Sequence, residues 1–187
     1  MVAQVHIPDD KSRDFCALLD AAATGHDASF ETLVAPLLPR LRGYMRAQAG
    51  DDGEDLVGDV LLRVFRGLGG FSGGESELRS WVFTIAHHRL VDHRRRRRRD
   101  ELLDSAAAAR ICGGDAEQDA MDNLVESDLW LVLGRLAPAQ RQALLLRVVA
   151  GLSVEEAAVV MGKKPGAVRV LQHRALESLR KRIRRGV

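Results

Sequence analysis

The stretch Ser153-Val154-Glu155-Glu156-Ala157-Ala158-Val159-Val160-Met161-Gly162-Lys163-Lys164-Pro165-Gly166-Ala167-Val168-Arg169-Val170-Leu171-Gln172-His173-Arg174 decides how the rest of the chain is read. Ser153 followed three residues later by Glu156 forms a capping box, in which each side chain satisfies a backbone N–H orphaned at a helix start. The short helix it opens ends near Met161-Gly162. Pro165 suits the first turn of a second, longer helix, where its missing N–H costs nothing. Val168, Leu171, Ala175, Leu179 and Ile183 stripe one side of that second helix and leave polar and basic residues on the other. This is the plan of a helix-turn-helix, whose second helix enters the major groove by its N-terminal end. The candidate duplex contacts are Lys163, Lys164, Gly166, Arg169, Gln172, His173 and Arg174. Arginine and glutamine can read base edges, whereas the lysines and the helix-start N–H groups suit phosphates. Arg180, Lys181, Arg182, Arg184 and Arg185, further along, add general attraction for a polyanion.

Working upstream, helical periodicity persists and the alternation that marks strands is hard to find. Pro138 opens a helix running through Val149, preceded by apolar residues from Leu124 to Leu136. Leu78, Trp81, Val82, Ile85 and Ala86 stripe another helix, which runs into the six arginines Arg94 to Arg99. Before it, Gly67, Gly69, Gly70, Gly73 and Gly74 make a loop centred on Phe71-Ser72. Leu56, Val60, Leu61, Val64, Phe65 and Leu68 form a further stripe, opened by the acidic turn Asp51-Asp52-Gly53-Glu54-Asp55, whose charge complements a helix N-terminus. Leu33, Leu37, Leu41, Tyr44 and Met45 make the first stripe. The expected fold class is all-α, with two small helical domains joined by a flexible acidic linker. The boundaries read as an N-terminal extension over 1–13, a first domain over 14–99, the linker over 100–123 and a second domain over 124–187.

Charge supports this division. The 28 Lys+Arg and 26 Asp+Glu nearly cancel, but residues 61–99 carry ten basic and three acidic side chains, and 131–187 carry twelve and three. Between them, 100–130 hold nine acidic residues and one basic. Two cationic blocks separated by an anionic one point to two polyanion-binding surfaces. A loop aromatic beside a cationic helix suits unstacked bases, with Phe71 the better stacking candidate and Trp81 assigned to the core.

Other chemistries find little support. No phosphate-binding glycine loop is present. His87, His88 and His93 lack further ligands and sit among arginines that repel a cation, so no metal or other cofactor is expected. Cys16 and Cys112 stand outside any metal or disulfide frame, and no catalytic constellation marks an enzyme. The lack of a long apolar run argues against membrane insertion and for a cytoplasmic address.

Gly25-His26-Asp27-Ala28-Ser29-Phe30 before a helix, Asp52-Gly53-Glu54-Asp55-Leu56-Val57-Gly58-Asp59-Val60, Arg79-Ser80-Trp81-Val82-Phe83-Thr84-Ile85-Ala86, and Leu136-Ala137-Pro138-Ala139-Gln140-Arg141 before the helix-turn-helix occur in this order. With these motifs the chain resembles an extracytoplasmic-function (group IV) bacterial sigma factor over about residues 14–98 and 124–185. The resemblance implies a region 2 that grips the clamp helices of core RNA polymerase and opens the minus-10 element. It also implies a region 4 that reads the minus-35 element and meets the polymerase flap. Asp55, Asp59, Leu62, Arg63 and Arg66 would bind polymerase. Phe71, Ser72, Gly73, Arg79, His87, His88, Arg94 and Arg95 would meet the minus-10 DNA. The linker would thread a basic channel of the polymerase, and an anti-sigma factor would hold the free protein inactive. Gly58 stands where the family commonly has glutamine, and Ala167 where threonine is frequent. The competing reading is a stand-alone helix-turn-helix regulator, which has no use for the glycine loop or the arginine run.

Overall fold

The structure is a computed structural model that describes residues 10–107 and 133–184. All regular structure among the described residues is helical: α1 Asp10–Ala23, α2 Asp27–Val34, α3 Leu38–Ala49, α4 Gly53–Gly67, α5 Glu75–Ala107, α6 Pro138–Val148, α7 Val154–Met161 and α8 Pro165–Ile183. No helix among the described residues is long and apolar enough to cross a membrane. Cys112, residues 1–9 and most of the expected linker lie outside the described residues.

Each helix starts and stops for local reasons. His26 caps α2, its Nδ1 accepting the Ser29 N–H at 3.3 Å. Asp27 to Phe30 therefore lie inside the helix, one turn earlier than the sequence reading placed its start. The first apolar stripe is divided between α2 and α3 by the Pro36-Leu37 turn, yet Leu33, Leu37, Leu41, Tyr44 and Met45 are all buried. Helix α5 passes Asp100, where the sequence suggested a linker, and continues to Ala107. Residues 101–107 include Leu102, Leu103, Ala106 and Ala107, good helix formers that extend an existing helix without a new nucleation cost.

The core of the first unit forms where α3, α4 and α5 meet. Leu41, Tyr44 and Met45 face Val60 and Val64 from α4, and Leu78, Val82, Phe83, Ala86 and Leu90 from α5. The Tyr44 and Phe83 rings meet edge to face, with centroids 5.5 Å apart, a favoured quadrupolar arrangement. The Tyr44 hydroxyl is buried near Gln48 and Gln142 without an aligned hydrogen bond. Burial raises its pKa well above the ordinary phenol value.

In the second unit Ala143, Leu145 and Leu146 of α6 pack with Leu152, Ala157 and Val160, and with Val168 and Ala175 of α8. Helix α7 also packs on α5, and α6 touches α3, so the two units share a seam.

Gly53 sits where α4 begins against α3. A Cβ there would lie 3.0 Å from the Arg46 Cα and backbone nitrogen, closer than backbone atoms can readily yield. Gly58, one turn further along the same helix, would meet nothing within 4 Å. Gly53→Ala should therefore lower stability by about 1–3 kcal/mol through overpacking. Gly58→Ala should raise it by up to about 1 kcal/mol through helix propensity. Urea unfolding of the two variants checks the opposite signs.

Candidate nucleic-acid and polymerase interfaces

The helix-turn-helix is built as its sequence implies. Ser153 and Glu156 make both reciprocal capping bonds, with the Glu156 N–H donating to Ser153 Oγ at 3.0 Å and the Ser153 N–H donating to the Glu156 carboxylate. Gly162 terminates α7 at φ 60°, a left-handed conformation that glycine adopts without Cβ strain. The Arg147 guanidinium donates to the Leu152 carbonyl and lies 3.4 Å from Gln172 Oε1, tying α6 to the turn and to α8. The start of α8 is thus presented with Lys163, Lys164, Gly166, Arg169, His173 and Arg174 exposed, and Gln172 half-buried. Arg169 donates to Glu155 Oε1 at 3.1 Å, and His173 lies 3.8 Å from Glu177.

On α4, Asp55, Asp59, Leu62, Arg63 and Arg66 recur at helical spacing on one side. All are exposed except the half-buried Asp59. Leu62 and Phe65 are large apolar side chains left open on this helix, 47% and 39% exposed. Phe65 leans edge-on against Phe30, with centroids 5.1 Å apart. Asp59 already has an internal partner in the ion pair with Arg89. Arg89 is only 7% exposed, and its Nε has no acceptor among the described residues. Sequence reasoning missed this pair because its members are thirty positions apart on different helices.

Between α4 and α5, Phe71 is half-buried rather than fully projected. Its ring lies 5.1 Å from that of Trp81 at 30°, while Ser72 and Gly73 are exposed. Trp81 in turn packs over Gly67, where a Cβ would come within 3.0 Å of the indole. The Glu77 carboxylate accepts the Gly74 N–H at 3.1 Å and caps the start of α5. Arg79 lies 3.8 Å from Glu75. Further along α5, His88 and Arg95 are exposed. Arg94 donates to the side chain and backbone carbonyl of Gln48. His93 and Arg97 reach Asp52 at 3.2 and 3.7 Å. The arginine run is therefore partly anchored at its root and open beyond it. Among the described residues no group of three or more His, Cys, Asp or Glu side chains is arranged to hold a metal ion.

A helical unit with one cationic helix, joined to a helix-turn-helix, defines a DNA-binding protein of two parts. Residues 33–100 match the sigma-70 region 2 family, and residues 127–179 match sigma-70, region 4. The ECF RNA polymerase sigma factor ShbA of Streptomyces griseus is 32% identical over 186 residues, covering 92% of this chain and 96% of ShbA. BldN of Streptomyces coelicolor, an ECF RNA polymerase sigma factor, is 30% identical over 177 residues, covering 91% of this chain and 66% of BldN. Among solved structures, RpoE of Bartonella quintana, in complex with the anti-sigma factor NepR, aligns with a TM-score of 0.69 and 29% identity over 83% of this chain and 96% of that one. CnrH, in complex with the cytosolic domain of CnrY, shares the fold at a TM-score of 0.66 and 24% identity, covering 92% of this chain and 99% of that one. The chain belongs to the ECF family of RNA polymerase sigma factors. Its function is that of a sigma factor, in promoter recognition and transcription initiation. A stand-alone regulator would explain only the second of the two matched segments.

His87 lies at the seam between the units, where Gln142 Nε2 donates to its Nδ1 at 2.6 Å. Burial, then the neighbouring His88 and Arg94, hold its pKa below the ordinary 6.5. The neutral ring is the folded form, so the stability it supports is present above pH ~6.5 and falls as acid protonates the unfolded chain first. His87→Gln should reduce the loss of melting temperature between about pH 7.5 and pH 5.5. Thermal melts of wild type and variant at the two pH values measure the difference.

Proposed function

We propose that the exposed N-terminal half of α8 reads the minus-35 element. Arg169 and Gln172 reach base edges, while Lys163, Lys164 and Arg174 neutralise phosphates around them, with His173 beside the same patch. Gly166 lets backbone approach the duplex. The observation that carries this reading is the doubly bonded capping box and left-handed Gly162, which fix α7 and aim an exposed basic helix start outward. The loop of Phe71, Ser72 and Gly73, with Arg79, His87, His88, Arg94 and Arg95 of α5, meets the minus-10 element. The α4 face of Asp55, Asp59, Leu62, Arg63 and Arg66 docks on the polymerase clamp helices, and the second unit meets the flap. Residues 14–99 and 124–187 act as the two functional domains, joined by the acidic stretch 100–123, in a cytoplasmic protein without catalytic activity of its own.

An anti-sigma factor controls the chain, a reading supported by the solved complex of RpoE with NepR. Co-purification from cells with the tagged chain as bait should recover an inhibitory partner. Constitutive activity with no such partner would replace this reading with control by expression.

The roles on α8 separate by experiment. In a polymerase holoenzyme, Arg169→Ala should cost about 1–3 kcal/mol and relax preference at one or two minus-35 positions. Lys163→Ala should weaken all sequences alike and reduce the salt slope by about one. Binding to a library of minus-35 variants at two salt concentrations measures both, and an Arg169 variant that keeps full preference removes it from base reading.

On α4, Asp55 gives the cleaner test of polymerase docking, because reversing Asp59 would also confront Arg89 with a second cation inside the fold. Asp55→Lys should lower competitive association with core polymerase while leaving urea unfolding near wild type. Unchanged competition would take Asp55 out of the interface.

A further inference from the structure

Arg147, in the last turn of α6, serves both the turn and the second helix of the helix-turn-helix. Its Nη1 donates to the Leu152 carbonyl, and its Nε donates to Gln172 Oε1 at 3.4 Å. A guanidinium carries five N–H donors and no acceptor. The contact therefore decides which way round the Gln172 amide lies. Its oxygen faces α6, and its nitrogen, with both protons, is left for the other side. Along α8, Gln172 lies one turn from the buried Val168 and Ala175 and next to the exposed His173, with exposed Arg169 three positions before it. This is the edge where the apolar stripe of α8 meets its basic face. The half-buried amide thus has an inner end, spent on Arg147, and an outer end available to a duplex.

We infer that Arg147 is a positioning residue for promoter specificity: by holding Gln172 Oε1 it makes Gln172 a donor only, so that this side chain selects guanine and disfavours adenine. This role presupposes the base-reading assignment of Gln172. A glutamine free to turn reads adenine with both ends of its amide, Oε1 accepting from N6 and Nε2 donating to N7, and both atoms must then face the groove. Here the oxygen is committed to another helix. The donors that remain match guanine, whose N7 and O6 lie side by side and both accept. Against adenine, an Nε2 donor that reaches N7 meets the N6 donor beside it and has no acceptor to offer. A donor facing a donor leaves both without the hydrogen bond they had in water. The guanidinium on the oxygen also polarises the amide and strengthens its N–H groups as donors. The choice of base is thus set in part by a side chain that does not touch it.

Holoenzyme binding to minus-35 duplexes tests this, because a residue that only supports the fold changes affinity for all sequences together and not which base is preferred. At one position, identified as the one that Gln172→Ala flattens, the wild type should favour the G·C pair over either orientation of A·T by about fivefold or more. Arg147→Met keeps an apolar stem and removes the donors. It should bring A·T at that position level with G·C or above it, leave preference at other positions unchanged, and have no such effect in a Gln172→Ala background. Arg147 also closes the turn through Leu152, so a second measurement needs no substitution at all. With adenine placed at that position, the wild type should bind as well or better when purine, which lacks the N6 amino group, replaces it, whereas Arg147→Met should lose about fivefold. A wild type that prefers A·T at the flattened position, or that loses affinity with purine, would overturn the donor-only role and leave Gln172 as a base reader. Persistence of the G·C preference in Arg147→Met would overturn it as well. If Arg147→Met flattens every position at once, the wild-type response to purine decides. If Gln172→Ala alters no position, the fault lies in the base-reading assignment of Gln172 itself.

Discussion

Helix α5 has to bury one face in an apolar core and, without a break, become one of the most cationic segments of the chain. Leu78, Val82, Phe83, Ala86 and Leu90 are almost wholly removed from water, and Arg94 to Arg99 begin one turn later. A buried face followed directly by unpaired cations would pull the helix end toward solvent and strain the packing behind it. The structure grades the change instead. Arg89, still inside, is neutralised by Asp59 of α4. Arg94 lies on Gln48 of α3, and His93 and Arg97 share Asp52. The partners come from the neighbouring helices, so the order of α3 and α4 depends on the charge of α5 as well as on its apolar face.

The same economy of contacts appears in the second unit. One glutamate completes the cap of α7 and receives the hydroxyl of Ser76. One arginine, Arg147, closes the turn and approaches α8. Contacts that hold α8 in place suit the base-reading role proposed for it, because a side chain that must find its rotamer on the DNA gives up part of its interaction free energy to ordering. The two units pack on one another through α5 and α7, and the Ser76–Glu156 and His87–Gln142 contacts bridge the same seam.

Local rules made much of this legible in advance. Ser153, Glu156, Gly162 and Pro165 announced the helix-turn-helix because capping and left-handed turns involve residues three or four apart, where sequence and space coincide. The apolar stripes of α4, α5 and α8 were legible for the same reason. The errors fell at boundaries. His26 caps a helix that the sequence reading began later, because an imidazole acceptor is a less familiar cap than serine or aspartate. The composition of 100–107 suggested a linker by its charge, while its leucines and alanines carried the helix on.

What the sequence determined by itself was the class of structure and the chemistry of its faces: helices, a capped helix-turn-helix, and basic segments divided by an acidic one. Only the tertiary structure decided which charges are spent inside the molecule. Asp59, a polymerase-binding candidate from the sequence, is paired with Arg89. Arg169 stays exposed while donating to Glu155, and Phe71 lies against Trp81. The physical reason is the range of the interactions. Caps and periodic stripes act within one turn of a helix, whereas an ion pair or ring contact between segments tens of residues apart exists only once packing has brought those segments together.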